Sequence, residues 1–342
     1  MSVPGEFDSV VPVPADVVTA WSLAPGWDAV LVVGAIGYLL LTRRLRRRGQ
    51  PWPRRRIAAA GIAVVLLFLT VNSSIEVFSQ YLFWVHMIQH LLLIMVIPVL
   101  LIWAQPLRLI HLARSVPGPD TEMTGRGSRA GRILTAPVLS IGLYTAVVVL
   151  THLTGFQEQA LLHPGLHTLE MVLYLVSGYL LFLSLIGHDR TPWTIPYLLR
   201  FVVLAVTMGV DTMVGVILML TQQPLAPGFA LRHPSWGLDA RADQSTAGAI
   251  MWFVGDGLMM ILMVITAIEW GGKTHQNDGL GSWLEGVRRR QILGDSPPDS
   301  PDRVGTGSAG DEVDLDQQVL DAYNAHLVAL HQQEPQVPRP RR

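Results

Sequence analysis

The sequence predicts an all-α membrane protein: a bundle of seven transmembrane helices with its N-terminus outside and its C-terminus in the cytoplasm. Three observations carry that expectation. Half of the 342 residues are hydrophobic and only 15% are charged, a balance that points to a membrane chain and away from an ordinary soluble enzyme. The apolar residues fall in blocks of roughly 20, the length a helix needs to cross about 30 Å of hydrocarbon. The arginines gather in alternate loops, so the near-zero net charge of -1 hides a strong asymmetry.

The first block, Trp27 to Thr42, is followed by RRLRRRGQPWPRRR, whose eight arginines mark a cytoplasmic loop. No basic region precedes the block, so it is expected to stay as a span and not to be cleaved as a signal peptide. The second, Ile57 to Ser74, is short before Asn72. The third runs from Tyr81 to Trp103 and leads into the Ala104 to Arg132 loop, with five more arginines. The fourth is Ile133 to His152, the fifth Thr168 to Gly187, the sixth Tyr197 to Leu220 and the seventh Ala247 to Trp270. Lys273 and Arg288 to Arg290 follow the last, whereas residues 1–26, 72–80 and 152–167 hold no Lys or Arg. The positive-inside rule and an odd number of spans therefore agree on the orientation.

This divides the chain into an extracellular N-terminal segment (1–26), a transmembrane domain (27–270), a cytoplasmic linker (271–310) and a tail (311–342). The linker, containing GDSPPDSPDRVGTGSAGDE, has the composition of a disordered segment. In the tail, Val313, Leu315, Val319, Leu320, Tyr323, Leu327 and Leu330 recur at helical spacing and predict one short amphipathic helix. The absence of cysteine excludes disulfides and thiolate metal sites, so any soft-metal chemistry must use His and Met.

The candidate site lies in the polar residues within the spans. His86 and His90, four residues apart, share a helix face and sit roughly 8 and 14 Å below the outer end of the third span. Asp211 and Asp256 fall about 14 Å from the outer ends of the sixth and seventh. His163 and His167 lead into the fifth span, with Glu170 one turn deeper, and His152 closes the fourth. A charge at mid-bilayer depth costs about 2.5 to 3.5 kcal/mol on insertion scales, so such groups turn inward and pair or serve a function. A shared depth implies that they meet. A lone intramembrane His most often makes an interhelical hydrogen bond; two pairs facing each other raise the case for ligands. Glu170 and His152 read as interface residues within reach of water, and Met213, Met219 and Met251 as packing. Pro98 reads as a kink in the third helix. His111, His188, His275, His326 and His331, on the cytoplasmic side, and His233 in an outer loop read as solvated.

Neutral imidazoles at i, i+4 present two nitrogens to one Cu, Zn, Fe or Ni ion. Copper fits best by Irving-Williams affinity, and zinc uses the same donors. Haem ligated by two histidines is the alternative. A proton-coupled transporter or channel ranks third, since the polar groups cluster on one side and trace no path across the bilayer.

The stretch HMIQHLLLIMVIPVLLIWAQPLRL resembles the third-span signature of the CtaG-like, caa3-type cytochrome c oxidase assembly factors, in their actinobacterial form. HPGLH, IGHDRTP, DQSTAGAIMW and AYNAHLVAL extend the resemblance in order, from about Tyr81 to Leu330. The resemblance implies a polytopic plasma-membrane protein, not an enzyme, that helps assemble a haem-copper oxidase by handling copper at the outer face. Its implied partners are the lipid bilayer, oxidase subunits and an extracellular copper chaperone, with no nucleic acid. Carried over by position, His86, His90, His163 and His167 are the implied ligands, joined by Asp211 and Asp256 as carboxylates. In two places the chain departs from the pattern: Asp211, four residues before Gly215, stands where a histidine is expected, and Asp256 where a glutamate is expected.

Overall fold

The structure, a computed structural model, describes residues 15–114, 136–186, 196–232 and 239–277, together with Val13 and Trp236. Among these residues the regular structure is entirely helical. The predicted linker from residue 278 onward and the amphipathic tail lie outside the described residues, as do most of the Ala104 to Arg132 loop and all of IGHDRTP after Ile186, whereas residues 271–277, assigned to the linker, continue the last helix.

Seven long helical segments correspond to the seven apolar blocks. They are α2 (Pro25–Arg47), α3 (Arg54–Asn72), the composite α5 (Phe83–Leu91) and α6 (Ile97–Ala104), α8 (Pro137–Leu153), α10 (Pro164–Leu185), α11 (Tyr197–Leu220) and α13 (Ala240–Asn277). Between them lie α1 (Asp16–Thr19), α4 (Ser74–Ser79), α7 (Pro106–Arg114), α9 (Phe156–Leu162) and α12 (Gly228–Leu231). Six helices are long and apolar enough to cross a membrane, and a seventh span results when α8 and α9, bent by 75° at their junction, are taken together. The protein is a multi-pass membrane protein. Apolar side chains such as Val33 on α2, Ile62 on α3, Val206 on α11 and Ile261 on α13 stay exposed on the bundle surface, the arrangement expected where the surrounding solvent is hydrocarbon.

Proline starts many of these helices, because its missing N–H would be unpaired in the first turn anyway. Pro25, Pro137 and Pro164 occupy that position in α2, α8 and α10. Pro98 acts differently. It follows a five-residue π-helical segment, Leu92–Val96, that joins α5 to α6. Proline cannot donate to the carbonyl four residues earlier, which frees the Ile94 carbonyl, and Gly178 of α10 packs directly onto it: a Cβ there would come within 2.7 Å of the Ile94 carbonyl carbon. A second backbone approach joins α11 to α13, where a Cβ on Gly248 would meet the Gly215 oxygen at 2.6 Å. Small residues at such crossings let helices approach to where dispersion holds them in the bilayer.

Polar clamps fix the ends. The buried Asn72 side chain accepts from Ala24 N at 2.9 Å and donates to Asp28 Oδ1 at 2.9 Å, tying α2 to the end of α3. At the opposite, arginine-rich end, Tyr38 donates to Ala104 O and accepts from Trp52 Nε1, both at 2.9 Å. The histidine-bearing α5 has no local side-chain cap. Its first amides instead donate to a carboxylate from α13, Phe83 N to Asp243 Oδ2 at 2.9 Å and Trp84 N to Asp243 Oδ1 at 3.0 Å. An anion there complements the positive helix end.

Candidate metal centre

The centre is built where α5, α8 and α10 meet the short helices α4 and α9, at the bundle end that lacks the arginine-rich loops. One turn of α5 separates His86 from His90, whose rings lie edge to face with centroids 4.0 Å apart. On α10, His167 and Glu170 are three residues apart and also share a face. Glu170 is the hub. Completely buried, it lies 3.6 Å from His86 Nε2, 3.4 Å from His90 Nε2 and 3.6 Å from His167 Nδ1. Gln157 of α9 donates to Glu170 Oε1 at 2.8 Å and has its own oxygen 2.8 Å from His86 Nε2. A second carboxylate, Glu76 of α4, lies 3.5 Å from His167 Nε2 and accepts from Gln89 Nε2 at 2.5 Å, while Gln89 also donates to Thr70 O at 3.0 Å.

The donor chemistry fits a metal ion. His86, His167 and Glu170 each offer a ligand atom, all within 4.8 Å of one another. Ligands about 2.0–2.2 Å from one ion lie roughly 3 to 4 Å apart, so small side-chain rotations would close the set. His86 Nδ1, both nitrogens of His90, His167 Nε2 and Glu170 Oε2 are buried with no hydrogen-bond partner. Each such group costs about 1–3 kcal/mol of desolvation, and one or more on each of three imidazoles grouped at one carboxylate is what a cation would satisfy.

Of the six residues singled out as ligands, three converge: His86, His90 and His167. His163 does not. It is exposed at the mouth of α10, with Nδ1 3.1 Å from Gln159 O, because as the residue preceding Pro164 it is extended and its side chain points off the helix. Asp211 is buried but accepts from Tyr144 at 2.8 Å. It reaches the histidines only across a cavity of about 20 Å³. Asp256 is half-buried and accepts from Thr212 at 2.7 Å, pairing α13 with α11. Equal depth is not contact: helices meet along particular faces, and these carboxylates face each other's helices and α8.

Glu170 and His152, expected within reach of water, are instead buried. Glu76 and Gln157, in segments read as plain outer loops, are the residues the sequence reading missed. A signal was available for Glu76, because SSIEVFS holds an isolated carboxylate among apolar residues; none was available for Gln157, since the carboxylate of FQEQALL is Glu158, which accepts from Gly228 N at 3.0 Å.

No solved structure matches the chain. Uncharacterized proteins from Mycobacterium leprae, Mycobacterium bovis and Mycobacterium tuberculosis are similar to it. The first is 28% identical over 78% of this chain and 42% of its own length; the other two are each 29% identical over 76% of this chain and 40% of their own. The chain thus spans less than half of these relatives. Residues 36–272, which take in most of the bundle and every residue of the cluster, match the profile of the cytochrome c oxidase caa3 assembly factors, and the chain belongs to that family.

Proposed function

We propose that this protein serves cytochrome c oxidase assembly by holding copper at the His86, His90, His167 and Glu170 cluster and releasing it to an oxidase subunit. One observation supports this above the rest: three buried imidazoles stand within 3.6 Å of one buried carboxylate, and each of the three rings has a nitrogen with no hydrogen-bond partner. Neutral imidazoles supply the nitrogen donors that favour copper among divalent ions, and Glu170 supplies negative charge. Gln157 and Gln89 orient the carboxylates through their amides, the role outer-sphere partners play at metal sites. The positive-inside rule, applied to the arginine loops at the opposite end, sets the cluster toward the outer face of the plasma membrane. An extracellular copper chaperone and an oxidase subunit are the partners this reading requires, and the role is non-catalytic.

The test is the copper content of the purified protein, wild type against the double variant His86→Ala, His90→Ala. The reading expects close to stoichiometric copper in the wild type and loss of most of it in the variant. In cells, the variant should lower oxidase activity, with partial rescue by added copper. Equal copper in both proteins would overturn the reading.

A further inference from the structure

Beside the Glu170 cluster lies a histidine that it does not use. His152, in the last turn of α8, is 2% exposed, and its Nδ1 sits 2.8 Å from Val148 O. A carbonyl oxygen has no proton to give, so Nδ1 carries the hydrogen and donates. In the neutral ring the lone pair then resides on Nε2, which is buried with no hydrogen-bond partner. An imidazole whose other nitrogen is anchored to a backbone carbonyl is the usual form of a metal-ligating histidine.

His90, across from it, has Nε2 3.4 Å from Glu170 Oε1 and Nδ1 with no hydrogen-bond partner, and the two ring centroids are 5.5 Å apart. Two imidazoles bound to one ion at about 2.0 Å through nitrogen place their centroids within roughly 6 Å of each other. Both line the cavity of about 20 Å³ that also meets Met87, Met95, Met251 and Asp211. That volume suits one water or one small ion. The residues around it bring two imidazoles and three thioethers, a soft set that suits Cu(I), together with the Asp211 carboxylate and the Tyr144 and Tyr174 hydroxyls.

We propose that His90 and His152 form a second, deeper Cu(I) position, completed by a thioether of the lining methionines and next to the one built on His86, His167 and Glu170. Resting on the copper reading above, it makes the centre a two-step path, with His90 on the boundary between the positions. Binding needs no redox step and releases no proton, since both imidazoles are neutral.

The experiment is anaerobic Cu(I) titration of the full-length protein in detergent against a competing chelator, with X-ray absorption at the copper edge. The wild type should bind two Cu(I), with sulfur in the copper shell. His152→Asn keeps a donor for Val148 O but removes the ligand, and should bind one Cu(I) with sulfur scattering lost. Leucine at all three methionines should also remove the sulfur signal. His167→Ala should retain the sulfur-containing position and lose the other. A wild type that binds no copper would sink the functional reading as a whole. Two Cu(I) bound with unchanged affinity and sulfur signal in His152→Asn would overturn the deeper site alone, as would a wild type that binds one Cu(I) without sulfur. Circular dichroism of each variant checks folding, and an unfolded His152→Asn is replaced by the methionine variants, whose unchanged stoichiometry and copper shell would equally overturn the site.

Discussion

Replacing Gly178 with alanine tests how the fold places the candidate metal centre. The added Cβ would stand 2.7 Å from the Ile94 carbonyl carbon, where carbon atoms prefer about 3.5 Å or more. The obstacle is backbone on both sides, so neither partner can rotate away. Helix α10 and the π-helical segment must separate by about 1 Å. Glu170 lies eight residues up α10 from Gly178, roughly 12 Å along the axis, and His90 one turn before Ile94. The separation therefore lies between Glu170 and the two α5 histidines it joins. Overpacking typically costs about 1–3 kcal/mol, and rigid backbone puts this case at the upper end, a drop in Tm of about 5–10 °C for a bundle of this size. Copper affinity should fall by about tenfold or more as the ligands part. The assay is thermal unfolding by circular dichroism with a copper titration on the same preparation. Gly142→Ala is the control, since nothing lies within 4 Å of a Cβ there and alanine favours the helix. A Tm and affinity for Gly178→Ala equal to those of the control would refute the argument.

Other outcomes follow from the same contacts. Gly248→Ala places a Cβ 2.6 Å from the Gly215 oxygen and should lower the Tm by several degrees, whereas an unchanged Tm would mean that α11 and α13 do not cross there. Asn72→Leu leaves the Ala24 amide and Asp28 without their partner and should cost about 1–3 kcal/mol, seen as faster proteolysis near residues 20–25. Because His163 is exposed and outside the cluster, His163→Ala should leave copper content unchanged, and a loss would return it to the ligand set. Glu170→Gln should weaken copper binding by at least tenfold, measured by chelator competition. Purified protein should show no Soret band, since the cavity that His90 and His152 line holds only about 20 Å³, far too little for a porphyrin; a band abolished by His86→Ala would favour haem.

The sequence determined most of the architecture by itself. Span number and position follow from length and hydropathy, because a bilayer accepts only closed helices of about 20 residues. The sixth helix matches its predicted block residue for residue, Tyr197–Leu220. Helical spacing likewise put His86 beside His90 and His167 near Glu170, since such neighbours depend on one helix alone. Which faces meet was settled by packing between helices distant in sequence. The Ile94 and Gly178 contact turns α10 so that Glu170 points at α5, and Asp243 caps α5 from 160 residues away. Short helices α4 and α9 bring in Glu76 and Gln157 from segments whose hydropathy marks them only as loops. Asp211 and Asp256 share the predicted depth yet pair with Tyr144 and Thr212. Depth is a one-dimensional property that hydropathy encodes, whereas rotation about each helix axis is fixed by close backbone contacts that only the assembled bundle contains.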